Sequence, residues 1–159
     1  MITESSERRV VSVVVVNEAS VLSRITNLFS GRGYNITSLT VAPIPDSKYS
    51  RLTIVTAGSV RVIEQITKQL HKLIPVLRVY EHCDMVEKEM ALVKFPITEN
   101  LADIDALCRA YNGKIVNVGE NVVLTMVADE PNRIDNFLSI IKRYNPKEIA
   151  RSGAVALER

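Results

Sequence analysis

The sequence predicts an α+β protein of two tandem βαββαβ units. Short runs rich in Val, Ile and Thr alternate with amphipathic helical stretches. The order strand, helix, strand, strand, helix, strand occurs once up to Tyr80 and again from Glu89. Prolines, glycines and asparagines punctuate the junctions between these runs. Each unit is the split βαβ, or ferredoxin-like, arrangement. A short polar break near His82 to Val86 sets the expected domains at 1–82 and 83–159.

The first strand is expected over Val10 to Val16. Apolar Val21, Leu22, Ile25, Leu28 and Phe29 then recur at helical spacing, with Ser23, Arg24, Thr26 and Asn27 on the other side, so one face of this helix must be covered. Gly31 and Gly33 stop it, and Asn35 to Ala42 reads as a strand. The run Pro43-Ile44-Pro45-Asp46-Ser47-Lys48 signals a hairpin loop before a strand at Arg51 to Thr56. A second helix, Val60 to Lys72, carries the stripe Val62, Ile63, Ile66, Leu70 and Leu73, with Ser59 as its N-cap, and a strand follows at Val76 to Tyr80.

The second unit repeats the order with different residues. Strand Glu89 to Phe95 leads to helix Leu101 to Tyr111, strands Lys114 to Val118 and Val122 to Ala128, helix Arg133 to Tyr144 and strand Glu148 to Leu157. Asn112-Gly113 is a helix stop. Asp129-Glu130-Pro131 is an acidic, proline-bearing helix start that suits the positive end of the dipole.

The first strand bears on assembly. A sheet with helices on one face only should alternate apolar with polar residues, and Val10-Val11-Ser12-Val13-Val14-Val15-Val16 does not. Burial of both faces, or of a face and an edge, is therefore expected. This reads as an oligomer, with a second domain packed on the sheet as the alternative.

Composition excludes several function classes. The 159 residues are 47% hydrophobic, enough for a buried core. The longest apolar run, Val13 to Val16, is far short of the roughly 20 residues a membrane-spanning helix needs. The start ITESSERR lacks a signal-peptide core, so a cytoplasmic location is expected. A net charge of +2, from 20 basic and 18 acidic residues, offers no broad surface to nucleic acid or anionic lipid. The strands VVSVVVV and RLTIVTA have none of the aromatics an RNA-recognition sheet uses for stacking.

No catalytic constellation is legible either. His71 and His82 sit in no ligand spacing and read as exposed polar residues, so no metal is expected. Cys83 and Cys108 lack a partner motif and read as small buried or half-buried thiols. Ser23 and Ser38 have no nucleophile context. Glu87 with Glu89, and Asp103 with Asp105, read as solvated pairs. Gly31-Arg32-Gly33 follows a helix and opens a strand, the reverse of a dinucleotide fingerprint.

What remains is a pair of polar junctions. Asn17-Glu18-Ala19-Ser20 ends at a helix N-terminus, where free N–H groups and the dipole can bind a carboxylate. Asn17 adds an amide able to donate and accept. If Asn35 lies near the same site, directly or from a second chain, its carbonyl can accept from an ammonium while Ile36 or Leu39 supplies an apolar wall. This describes a small zwitterion such as an amino acid. On composition alone, helix capping by Asn17 and Ser20 and a turn at Asn35 are the simpler account.

The segments N-E-x-x-x-L-S-R (Asn17 to Arg24), L-F-S-x-R-G-Y-N-I-x-S-L-T-V-A-P (Leu28 to Pro43), S-R-L-T-I (Ser50 to Ile54), E-Q-I-x-K-Q-L-x-K-L-x-x-V-L-R-V (Glu64 to Val79), E-x-E-M-x-L-V-K (Glu87 to Lys94) and A-R-S-G (Ala150 to Gly153) run in order over nearly the whole chain. Together they closely resemble the small regulatory subunit of acetohydroxyacid synthase, also called acetolactate synthase. The resemblance implies an N-terminal ACT domain, an amino-acid sensor, followed by a second ferredoxin-like domain, with no catalytic activity of its own. It implies a separate catalytic subunit, a transferase holding thiamine diphosphate, Mg and FAD, whose activity this chain raises and makes subject to feedback inhibition by valine in branched-chain amino-acid biosynthesis.

Carried over by position, the resemblance makes Asn17 and the amides around Ser20, Val21 and Leu22 one wall of a valine site. Asn35 and Ile36 of a partner ACT domain form the other, in a homodimer. ACT domains usually have glycine where this chain has Ser20, a departure that bears on valine binding. Arg24 and Arg32 are candidates for contact with the catalytic chain. A free-standing ACT sensor acting on another partner is the alternative. The two βαββαβ units disfavour it, because they use up the chain and leave no DNA-binding module.

Overall fold

In the computed structural model, which describes residues 6–159, the first unit runs β1 (Glu7–Val16), α1 (Val21–Gly31), β2 (Ile36–Pro43), β3 (Tyr49–Gly58), α2 (Val60–His71) and β4 (Val76–Glu81). Its strands lie in the order β2-β3-β1-β4, all neighbours antiparallel. The second unit runs β5 (Met85–Pro96), α3 (Leu101–Ala110), β6 (Gly113–Val118), β7 (Val122–Asp129), α4 (Pro131–Ile140) and β8 (Glu148–Arg151), in the order β6-β7-β5-β8. Two tandem βαββαβ units are thus present. By their contacts the first unit comprises the described residues up to Val86 together with Ala154–Arg159, and the second Glu87–Gly153.

The helical stripes read from the sequence are the faces that fold inward, except that Leu22 of the first stripe is exposed at the start of α1. Val21, Ile25 and Phe29 of α1 and Ile63, Ile66 and Leu70 of α2 close over Val11, Val13, Val15, Leu52 and Ile54 of the sheet. Each such side chain contributes about 1.5–3 kcal/mol on burial. Ser59 caps α2, its hydroxyl accepting the Val62 N–H at 3.4 Å. After α1 the chain turns at Gly33, whose φ of +69° is the left-handed value glycine takes without a Cβ clash. In the second unit Ala91, Val93, Phe95 and Val127 face Ile104 and Cys108 of α3 and Ile134 and Phe137 of α4.

Three local expectations are corrected. The last strand is two: β8 stops at Arg151, and β9 (Val155–Glu158) folds with the first unit. The last helix starts at Pro131 and tightens into a 3-10 turn over Ile141–Tyr144, which Asn145 ends at φ +49°. The valine run of β1 is buried by its own chain, because β1 is an inner strand and Ala154 and Ala156 pack on Val10 and Val55 on the face away from the helices. The missing alternation therefore reflects the returning C-terminal segment and does not itself call for a partner.

Candidate functional site

β1 ends at Val16, and the chain leaves the sheet in a tight turn: the Glu18 N–H donates to the Val16 carbonyl at 2.9 Å and the Asn17 N–H to the Lys48 carbonyl at 3.0 Å. The Asn17 side chain is left exposed beside the start of α1. Ser20 occupies the N-cap with φ −86° and ψ −10°, and its hydroxyl makes no cap hydrogen bond. Backbone strain does not require glycine here. The N–H of Val21 returns to the Glu18 carbonyl at 3.2 Å and its side chain is in the core, so Val21 holds the helix end in place. The first-turn N–H groups beyond it, of Leu22 and Ser23, are the donors an α-helix leaves open. No acidic side chain lies in that turn. Ser23, weighed from the sequence only as a nucleophile, thus stands with Leu22 at the open helix end.

Asn35 and Ile36 lie elsewhere. Asn35 is exposed just before β2, its backbone carbonyl accepting the Thr56 hydroxyl at 2.6 Å, and Ile36 packs on the rim of the first core opposite Thr56. Val16 pairs with Tyr49 at the other end of β3. The seven steps from Tyr49 to Thr56 span about 24 Å of strand, so one chain does not bring Asn17 and Asn35 to the same pocket. β2 is an edge strand, with one side unpaired among the described residues. Of the two arginines considered for partner contact, Arg24 is exposed and Arg32 donates to the Gln69 side chain at 3.0 Å.

Two polar clusters escaped the sequence reading. His82 is buried, not exposed: its Nε2 lies 2.6 Å from Ser12 Oγ and its Nδ1 3.2 Å from Glu158 Oε1, the latter without hydrogen-bond geometry. Serine, histidine and acid are in catalytic order, but Ser12 is 0% exposed, so no substrate carbonyl can meet its hydroxyl. The cluster ties the end of the chain to the sheet. Glu89 is likewise buried rather than solvated. Arg151 bonds it at 2.7 Å and Asp135 at 2.6 Å, so the A-R-S-G stretch works as a structural clasp.

Beside it Asp129, 2% exposed, accepts from Arg133, the Asn112 side chain, Lys88 and the Glu130 N–H. Burial alone raises its carboxyl, but the bonds from Arg133, the Glu130 N–H and Lys88 outweigh this and hold it below the usual carboxylate range. Both cysteines are free thiols. Cys83 is exposed, contrary to expectation, and burial pushes Cys108 up. Among the described residues no cluster of three or more His, Cys, Asp or Glu side chains is placed to hold a metal, and no helix is long and apolar enough to cross a membrane.

Comparison with known proteins agrees with both units. Residues 11–78 match the family described as the AHAS small subunit-like ACT domain, and residues 88–159 that of the small subunit of acetolactate synthase. The chain is 44% identical over 156 residues to the acetolactate synthase isozyme 3 small subunit of Escherichia coli, covering 96% of each. It is 34% identical to the probable acetolactate synthase small subunit of Methanothermobacter thermautotrophicus, covering 100% of this chain and 97% of that one. The crystal structure of the acetolactate synthase small subunit from Thermotoga maritima matches it with a TM-score of 0.90 at 34% identity, over 96% of this chain and 98% of that chain. With its first unit matching that ACT domain and nearly its whole length matching named small subunits, this chain belongs to the family of acetolactate synthase small subunits.

Proposed function

We propose that this chain is the regulatory, non-catalytic partner of a cytoplasmic acetolactate synthase catalytic subunit, that it raises that subunit's activity, and that it imposes feedback inhibition by valine. Thiamine diphosphate, Mg and FAD belong to the catalytic subunit. Valine binds where two ACT units meet: its carboxylate at the α1 N-terminus, held by the N–H groups of Leu22 and Ser23 and the Asn17 amide, and its ammonium and side chain against Asn35 and Ile36 of the partner.

The observation that carries this reading is the separation of Asn17 from Asn35 across the sheet. Antiparallel pairing of two β2 edges runs the Asn35 end of one strand toward the Pro43 end of the other, and the Pro43 end is the end that bears Asn17. Valine then shifts catalysis through its different affinities for two arrangements of the assembly. The test is inhibition of the reconstituted enzyme: Asn17→Ala is expected to abolish valine inhibition while the catalytic subunit is still activated. Retained inhibition at unchanged valine affinity would remove Asn17 from the site.

A further inference from the structure

On the face of the first sheet away from the helices, a partly open cleft of about 270 Å³ lies between β2, β3 and the C-terminal strand β9. Its polar groups come from one face of the sheet by register, since Thr40 pairs with Thr53, and Ala42 with Arg51. Its apolar wall follows from the two-residue period of β9. Ala154 and Ala156 turn to the sheet, so Val155 and Leu157, each more than half exposed, turn the other way and line the cleft with Ile44.

One charged group stands out in this cleft. Arg51 is half-buried and makes no ion pair among the described residues, and no carboxylate lines the cleft. An anion is thus matched by a cation in apolar surroundings. The α-ammonium of an amino acid would meet only Arg51 and no counter-charge.

We propose that this cleft binds a small aliphatic monocarboxylate without an α-amino group. Its carboxylate is held by the Arg51 guanidinium, and its chain lies against Ile44, Val155 and Leu157. The volume suits a ligand smaller than drug size. The site is separate from that proposed for valine and does not depend on it.

The test is titration of the full-length protein with 4-methylpentanoate, followed by calorimetry and by backbone amide shifts, with and without saturating valine. Saturable binding is expected, with shifts at Thr40, Arg51 and Leu157 and no competition from valine. Arg51→Gln, a half-exposed position, is expected to weaken binding about tenfold or more, the loss that removing a charge-assisted hydrogen bond brings. Leu157→Ser, on an exposed side chain, should weaken it several-fold. The proposal is overturned if binding is not saturable, if Arg51→Gln binds as wild type, if leucine binds as tightly as 4-methylpentanoate, or if valine displaces the probe.

Discussion

Asn17 and Asn35 lie at opposite ends of one sheet: Asn17 follows Val16, the partner of Tyr49, and Asn35 precedes Ile36, the partner of Thr56. Two polar junctions that flank one helix in sequence are thereby parted by most of the length of β3. α1, 11 residues and about 16 Å long, separates the two junctions, so its two ends cannot serve one ligand within a chain. A ligand touching both asparagines needs two chains.

Mixing tests this directly. Asn17→Ala and Asn35→Ala proteins should each lose valine binding. After exchange of subunits, each mixed dimer holds one site with both changes and one with neither, so roughly a quarter of all sites should recover. Calorimetric stoichiometry reads this, and no recovery would mean that the two residues do not meet across a dimer.

At Ser20 the backbone has negative φ and the hydroxyl caps nothing. Ser20→Gly should therefore change stability by no more than about 0.5 kcal/mol. Removal of the Cβ opens the approach to the helix end, so valine should bind several-fold more tightly in titration. Unchanged affinity would show that the ligand does not pass close to Ser20.

Asp129 makes the second unit sensitive to acid. Its folded pKa lies below the unfolded one, so its contribution is full above the unfolded value near ~4 and is lost as pH falls through the lower folded value. Asp129→Asn should lower stability at neutral pH, because the acceptor loses its charge-assisted bonds from Arg133, Lys88 and the Glu130 N–H, and should flatten the acid limb of stability. Urea melts between pH 7 and pH 3 measure both, and an unchanged midpoint would contradict the assignment.

Gly113 is a close-approach glycine. A Cβ there would sit 2.5 Å from the Met126 carbonyl oxygen and 2.6 Å from Val127 Cγ2, whereas at Gly119 the nearest atom is 3.5 Å away. Gly113→Ala should destabilise the second unit by about 2 kcal/mol or more, and Gly119→Ala by far less. Paired thermal melts compare them, and equal melting temperatures would refute the contrast.

Most of the fold was legible because its signals are local. The stripe of α2 and its Ser59 cap, the prolines before β3 and the Asn112-Gly113 stop each act within a few residues. The misreadings share one cause, contacts distant in sequence. His82 and Glu89 looked solvated because their partners, Glu158 and Arg151, lie 76 and 62 positions away in the chain. No spacing rule joins such pairs.

The sequence by itself determined the two βαββαβ units, the helical faces that form their cores and, through its extended motifs, the family, because hydrophobic period and turn chemistry are properties of neighbouring residues. Only the tertiary structure decided that residues 154–158 return to cover the first sheet, that Asn17 and Asn35 part company, and that Thr40 and Arg51 share a cleft. Those outcomes depend on strand order and register. They follow from which faces remain uncovered once the helices have packed, a balance struck over the whole chain.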